Sequence, residues 1–208
     1  MPINKQKFRI YTVFLIIFAI AGMMSISCRR AGSGGVDILG TSDETDEAVK
    51  LVASANEELT RIKVLYNANE GKREELKKTM AANDAAATKK IADDIVYLIN
   101  DGAADGKSAV EKIQKAQELQ INDDYREYLR LKEESLKREL EAFENYRLAA
   151  LMLRDSFDPK NSAAREKVKE EFKLRSDNYR KIMEGARDYS NRANELAKEV
   201  MRRQQQQQ

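Results

Sequence analysis

The chain has 208 residues, 35% charged and 42% hydrophobic, with one cysteine, two prolines and no histidine or tryptophan. Without histidine there is no Ser-His-Asp triad, no two-histidine zinc site and no Glu-x-x-His di-iron pattern, and one cysteine makes neither an internal disulfide nor a metal cage by itself. The net charge of +2 belongs to the amino terminus, where Lys5, Lys7 and Arg9 stand among residues 1–27 without an acid; from Cys28 onward acids exceed bases by one. Both signs interleave through that remainder, as on solvated helix faces, so neither a nucleic-acid partner nor a cofactor is expected.

Residues 1–28 fall into three zones: the basic stretch, an apolar run from Ile10 to Met24, and a small-residue exit at Ser25-Ile26-Ser27-Cys28. That order is the layout of an export signal, and a run of about 15 residues suits a signal core better than a membrane span. The exit resembles the lipobox of bacterial lipoprotein precursors, with Ser25 where leucine is most common. The resemblance covers these 28 residues only. It implies that residues 1–27 are removed as a signal peptide, that Cys28 carries the lipid, and that the rest of the chain lies outside the cytoplasm on a membrane anchor. Two other readings stay open. Ser25-x-Ser27 fits ordinary secretory cleavage, which leaves Cys28 a free thiol, and an uncleaved segment running through Cys28 makes an N-terminal anchor. Residues 28–42, with Gly32, Gly34, Gly35 and Gly40, read as the lipidated cysteine and a flexible tether.

The remainder, 43–203, reads as all-α: a long antiparallel up-down-up-down four-helix bundle with coiled-coil-like seams. The expected helices span about 43–82, 84–120, 123–157 and 162–203, followed by a polar glutamine tail, 204–208. In the first, Ala48, Val52, Ala55, Leu59, Ile62, Tyr66, Asn69, Arg73, Leu76 and Met80 alternate spacings of four and three. Thr41 with Glu44 offers a capping box at its start. Asp84 is the expected N-cap of the second helix, whose inner face runs through Ile91, Ile95, Leu98, Gly102, Gly106, Ala109, Ile113 and Ala116. Asp101-Gly102 and Asp105-Gly106 are also turn signals, so a break at 101–107 competes with a continuous helix, which is favoured. The third helix turns Tyr125, Leu129, Leu136, Leu140, Phe143, Ala150 and Leu153 inward and stops before Pro159. The fourth repeats the four-and-three spacing through Val168, Phe172, Arg175, Tyr179, Ile182, Ala186, Tyr189, Ala193, Leu196 and Val200. The main alternative is two long hairpins that associate between chains.

Few residues invite chemistry. The acid pairs Glu57-Glu58, Asp93-Asp94, Asp123-Asp124, Glu133-Glu134 and Glu170-Glu171 point about 100° apart on a helix and meet water, so no catalytic carboxylate pair is assigned. Tyr66, Tyr125, Tyr179 and Tyr189 fall on inner-face positions, as core rings or as the lining of a ligand groove. Antiparallel geometry with a turn near residue 83 brings Arg73 level with Asp93 and Asp94, and a turn near 160 brings Arg175 level with Glu144, suggesting polar pairs across the seams. Gly102 and Gly106 should lie opposite Leu140 and Leu136. The preferred function is a non-enzymatic, lipid-anchored extracytoplasmic bundle that binds another envelope protein or acts as a spacer, with oligomers possible. The alternative is a ligand-binding or stress-sensing bundle with a tyrosine-lined cavity. Which membrane holds the anchor is left open.

Overall fold

The computed structural model describes residues 44–206. The expected signal peptide, Cys28 and the tether lie outside the described residues. Four helices follow one another: α1 (Thr45–Ala81), α2 (Ala85–Glu118), α3 (Asp123–Ser156) and α4 (Ser162–Gln206), and no strand occurs among the described residues. They pack as a four-helix bundle in which each helix lies against the next in sequence.

Local chemistry sets the helix ends. Asp84 accepts from the Ala87 N–H at 3.0 Å, Asn122 from Tyr125 at 2.7 Å, and Asn161 from Ala164 at 3.0 Å, each satisfying an amide that the first turn leaves open. Glu44 departs from its expected capping role. It precedes α1 without capping it and instead accepts from the Gln120 amide in the α2/α3 connection. Asn83, between α1 and α2, has φ of 54°, a left-handed conformation that asparagine tolerates better than most residues. At the carboxyl end α4 continues through Gln204 to Gln206, so the glutamines extend the helix.

Cross-helix contacts prove the antiparallel order. Between α1 and α2 they run Ser54 with Lys112, Glu58 with Ser108, Arg61 with Asp105 and Lys72 with Asp94, one number rising as the other falls. The same holds for Glu133 with Gln114 and Arg154 with Asp93 across α2/α3, and for Asp124 with Arg203 and Ser135 with Ala186 across α3/α4. Packing of α2 on α3 joins both hairpins within one chain.

Helix α2 is unbroken through 101–107. The glycines meet different leucines from those expected: a Cβ on Gly106 would collide with Leu140 Cδ2, and one on Gly102 would lie 3.4 Å from Leu65 Cδ1 on α1. The register is displaced by about one turn, because the extended backbone at Leu119 and Asn122 carries the chain beyond the end of α2 before α3 begins.

Two apolar clusters fill the interior. One, at the end holding the α1/α2 and α3/α4 connections, draws on all four helices and includes Leu76, Ile95, Tyr146, Phe157, Phe172 and Tyr179. The other, at the opposite end, draws on α1, α2, α3 and Ile121, with Ala48, Ala55, Ala109 and Ala116 in it. Residues near 62–69, 98–107 and 140–144 form the waist between them.

Candidate functional site

At the waist α1, α2 and α3 line a cavity of about 230 Å³ that opens to solvent on one side. Its walls are mainly apolar, with Ile62 and Leu65 from α1, Leu98 and Ile99 from α2, and Leu140 and Phe143 from α3. Lys107 and Glu144, both exposed and of opposite sign, border it where it meets solvent. Gly102 and Ala103 form part of the α2 wall, and their small size helps to leave the space open. Protein interiors are otherwise packed to near-crystalline density, so a void of this size between two filled clusters calls for a physical account.

Asn69 of α1 lies beside the space. It is only 2% exposed, and neither its Nδ2 nor its Oδ1 has a hydrogen-bond partner or is open to the cavity. Leaving a buried amide donor or acceptor unpaired costs about 1–3 kcal/mol per group. The terminal torsion of asparagine is broad and roughly two-fold, so rotation about it re-aims the amide at little cost.

Behind the cavity the rings form a chain. Phe143 lies 5.8 Å from Tyr66 and 6.3 Å from Tyr179, and Tyr179 lies 5.4 Å from Tyr146. Burial pushes the phenols of Tyr66, Tyr146 and Tyr179 above their ordinary range, so all three are neutral hydroxyls near pH 7. Of the four tyrosines singled out by position, Tyr66 lines the cavity and Tyr179 stands one ring behind it. Tyr125 belongs to the far cluster, stacked on Tyr128 at 6.3 Å, and Tyr189 lies under the guanidinium groups of Arg138 and Arg192 at 5.1 and 5.5 Å. Neither is part of the cavity.

The expected cross-seam ion pairs are not the ones found. Arg73 turns inward, with its guanidinium 4.7 Å from the Tyr146 ring centre and 4.5 Å from that of Tyr179, and takes Glu70 of its own helix as ion partner. Its level along the bundle suits Asp93 and Asp94, but its face does not: one residue earlier, Lys72 reaches Asp94 at 2.9 Å, while Asp93 pairs with Arg154 of α3 at 3.2 Å. Arg175 likewise pairs with Glu171 at 3.6 Å, and Glu144 with Arg147 at 2.7 Å, each within its own helix.

Two acids assigned to water are buried. Glu58 accepts from Ser108 Oγ at 2.7 Å and Lys112 Nζ at 2.6 Å, and Glu133 accepts from Gln114 and Gln117 at 2.6 and 2.7 Å with Lys137 at 2.6 Å. Their donors come mostly from α2, so they act as clasps between helices. The available signal was their position, three residues after Ala55 for Glu58, and four after Leu129 and three before Leu136 for Glu133. Among the described residues no group of three or more His, Cys, Asp or Glu side chains is placed to hold a metal, and no helix is long and apolar enough to cross a membrane. Comparisons with protein-family models, curated proteins and solved structures find no match.

Proposed function

We propose that the chain is a non-enzymatic ligand-binding bundle, held outside the cytoplasm by a lipid on Cys28, with the waist cavity as its binding site. One observation carries this reading: a mainly apolar space of about 230 Å³ at the waist, walled by α1, α2 and α3 between two filled clusters. Sites for small molecules are concave and mostly apolar, with a few polar groups that fix orientation. This space is below the drug-sized range and larger than an engineered cavity of about 150 Å³ that admits benzene, so a one-ring ligand fits it. The interaction or spacer reading has the helix lengths of 34 to 45 residues in its favour. The lipid anchor rests on the charge, apolar and small-residue order ending at Cys28.

Titration of the methyl-labelled full chain in lipid nanodiscs with toluene tests the cavity. Saturable shifts should be confined to the waist, at Leu65, Leu98 and Leu140, and should vanish in Ala103→Phe, which fills the space from α2. Shifts that persist unchanged in that variant, or none in the wild type, overturn the binding site. The anchor is tested separately: a palmitate analogue should label the wild type and spare Cys28→Ala, and equal labelling removes the lipid from the proposal.

A further inference from the structure

The mouth of the waist cavity points to a class of ligand: we infer that the site takes a small amphiphile, an apolar body of ring size with one anionic head that stays at the mouth beside Lys107. This rests on the reading of the cavity as a binding site and goes further by naming what enters it. The inner wall is largely Leu65, Leu98, Ile99, Leu140 and Phe143, and both amide atoms of Asn69 are closed to the space. Tyr66 sends its hydroxyl toward Tyr179, one ring behind Phe143. A polar group carried to that depth loses water without gaining a partner, so a ligand meets its polar contacts at the mouth and carries its own polar group at one end.

Two side chains of opposite sign border the mouth, and one of them is already engaged. Glu144 accepts from Arg147 Nε and Nη2 at 2.7 Å each, a two-point pair within α3. Lys107 of α2 makes no hydrogen bond or ion pair among the described residues. Arg147, with Lys107 adding to it, holds the Glu144 carboxyl below its ordinary range, which places the Lys107 ammonium within electrostatic reach of Glu144 across the mouth. Two cations thus face one acid where the ligand's polar end emerges. A lysine ammonium is a point charge on a flexible stem, so it pairs with an anionic head without a fixed geometry. A cationic head meets Lys107, Arg147 and an acid that is already paired. Volume sets the body: an engineered cavity of about 150 Å³ holds benzene, so 230 Å³ accommodates a ring with one or two methylenes, about eight non-hydrogen atoms.

Phenylacetate, phenethyl alcohol and phenethylamine share a toluene-like body and differ at pH 7 in the charge of the head, which makes them the probes. In the full chain in zwitterionic nanodiscs at low ionic strength, with free aqueous ligand measured, phenylacetate should bind the waist about threefold more tightly than the alcohol, and the amine more weakly than both. Lys107→Glu changes an exposed side chain, so toluene should bind that variant as it binds the wild type, while phenylacetate should fall below the alcohol. Equal binding of phenylacetate and the alcohol by the wild type, or phenylacetate still favoured in Lys107→Glu, overturns the anionic head. Toluene binding with no response to these three probes overturns the amphiphile class alone. No response to any of the four overturns the binding site itself.

Discussion

The two ends of the bundle solve the same packing problem with different residues. At the end holding the α1/α2 and α3/α4 connections, Tyr146, Phe157, Phe172 and Tyr179 form a ring-rich core that all four helices share. At the other end Ala48, Ala55, Ala109 and Ala116 replace rings, and α4 has left the cluster. There α4 buries the small side chains of Ala186, Ala193 and Val200 and adds polar contacts to α3: Ser135 Oγ donates to the Ala186 carbonyl at 2.8 Å, Lys132 to Asn194 at 3.3 Å, and Arg203 pairs with Asp124 at 3.0 Å. Large side chains hold helix axes apart and alanines let them approach, since interaxial distance follows the residues at the contact. The waist joins a spacing suited to rings to one suited to alanines. The cavity and the unpaired Asn69 lie at that junction.

The ring end should therefore be the more sensitive to truncation. Phe157 is fully buried, and Phe157→Ala should lower the unfolding free energy by about 3–5 kcal/mol. Val52→Ala in the alanine-rich cluster removes two methyl groups, worth about 0.8 kcal/mol each. Urea unfolding of the two variants compares the ends directly, and equal losses would contradict the asymmetry.

At the waist the two glycines separate close approach from free space. A leucine at 106 must displace Leu140, whose methyl group the new Cβ would overlap, and Leu140 borders the cavity into which it can move. Gly106→Leu should cost about 1–3 kcal/mol and occlude the ligand site. Gly102→Ala meets Leu65 at an ordinary 3.4 Å and gains helix propensity, so it should leave stability unchanged or raise it by up to about 1 kcal/mol. Thermal melts of both, with toluene titration of the first, test this contrast. Gly102→Ala losing as much as Gly106→Leu would mean that both glycines are packed alike.

Asn69→Leu reverses the usual sign for a core substitution. The amide is buried without a partner, so its removal should raise the unfolding free energy by about 1 kcal/mol, despite repacking at the cavity wall. A loss of stability measured by urea unfolding would show that Asn69 is satisfied in solution by something with which leucine cannot coexist.

The helices were legible because four-and-three spacing and the caps Asp84 and Asn122 are local features that a linear sequence displays. Register was legible where the turn is compact, as between α1 and α2, and not where the extended residues Leu119 and Asn122 displace α3 along α2. The inner faces drifted by one residue in places: Met183 and Ser190 are buried while their predicted neighbours Ile182 and Tyr189 are half-buried. Arg73 sits at the predicted level, but its partners were decided by rotation about the helix axis, which places Tyr146 and Tyr179 on its face. Asn69 could be placed on the inner face from its spacing. Its lack of a partner could not, because that depends on what three helices jointly fail to supply.

The smallest expected effect separates the ends by pH. In the ring cluster burial pushes the phenols upward, away from neutrality, whereas groups on the α3/α4 side titrate close to it. Burial pushes the Glu139 carboxyl up to about 7 against the opposing pull of Lys132, Ser135 and Arg187, and burial pushes the Lys132 ammonium down to about 8, with Glu139 opposing. Folded Glu139 binds its proton more tightly than the unfolded chain, where a glutamate titrates near about 4.3. Its contribution to stability is therefore full below that value and is lost as pH rises through 7. Lys132 has the opposite sign: its contribution is full above the unfolded value of about 10.4 and is lost as pH falls through 8. Stability should pass through a shallow minimum between pH 7 and 8. Because Glu139 is only half-buried, its share should be no more than about 1 kcal/mol. Glu139→Gln should remove the fall between pH 4.5 and 7 and leave the alkaline rise, whereas Lys132→Met should remove the rise. Urea unfolding at half-unit pH steps distinguishes them, and hydrogen exchange should place the wild-type change in the second half of α4. An acid-side profile unchanged by Glu139→Gln would assign the pH dependence to other groups and leave the two ends alike in this respect.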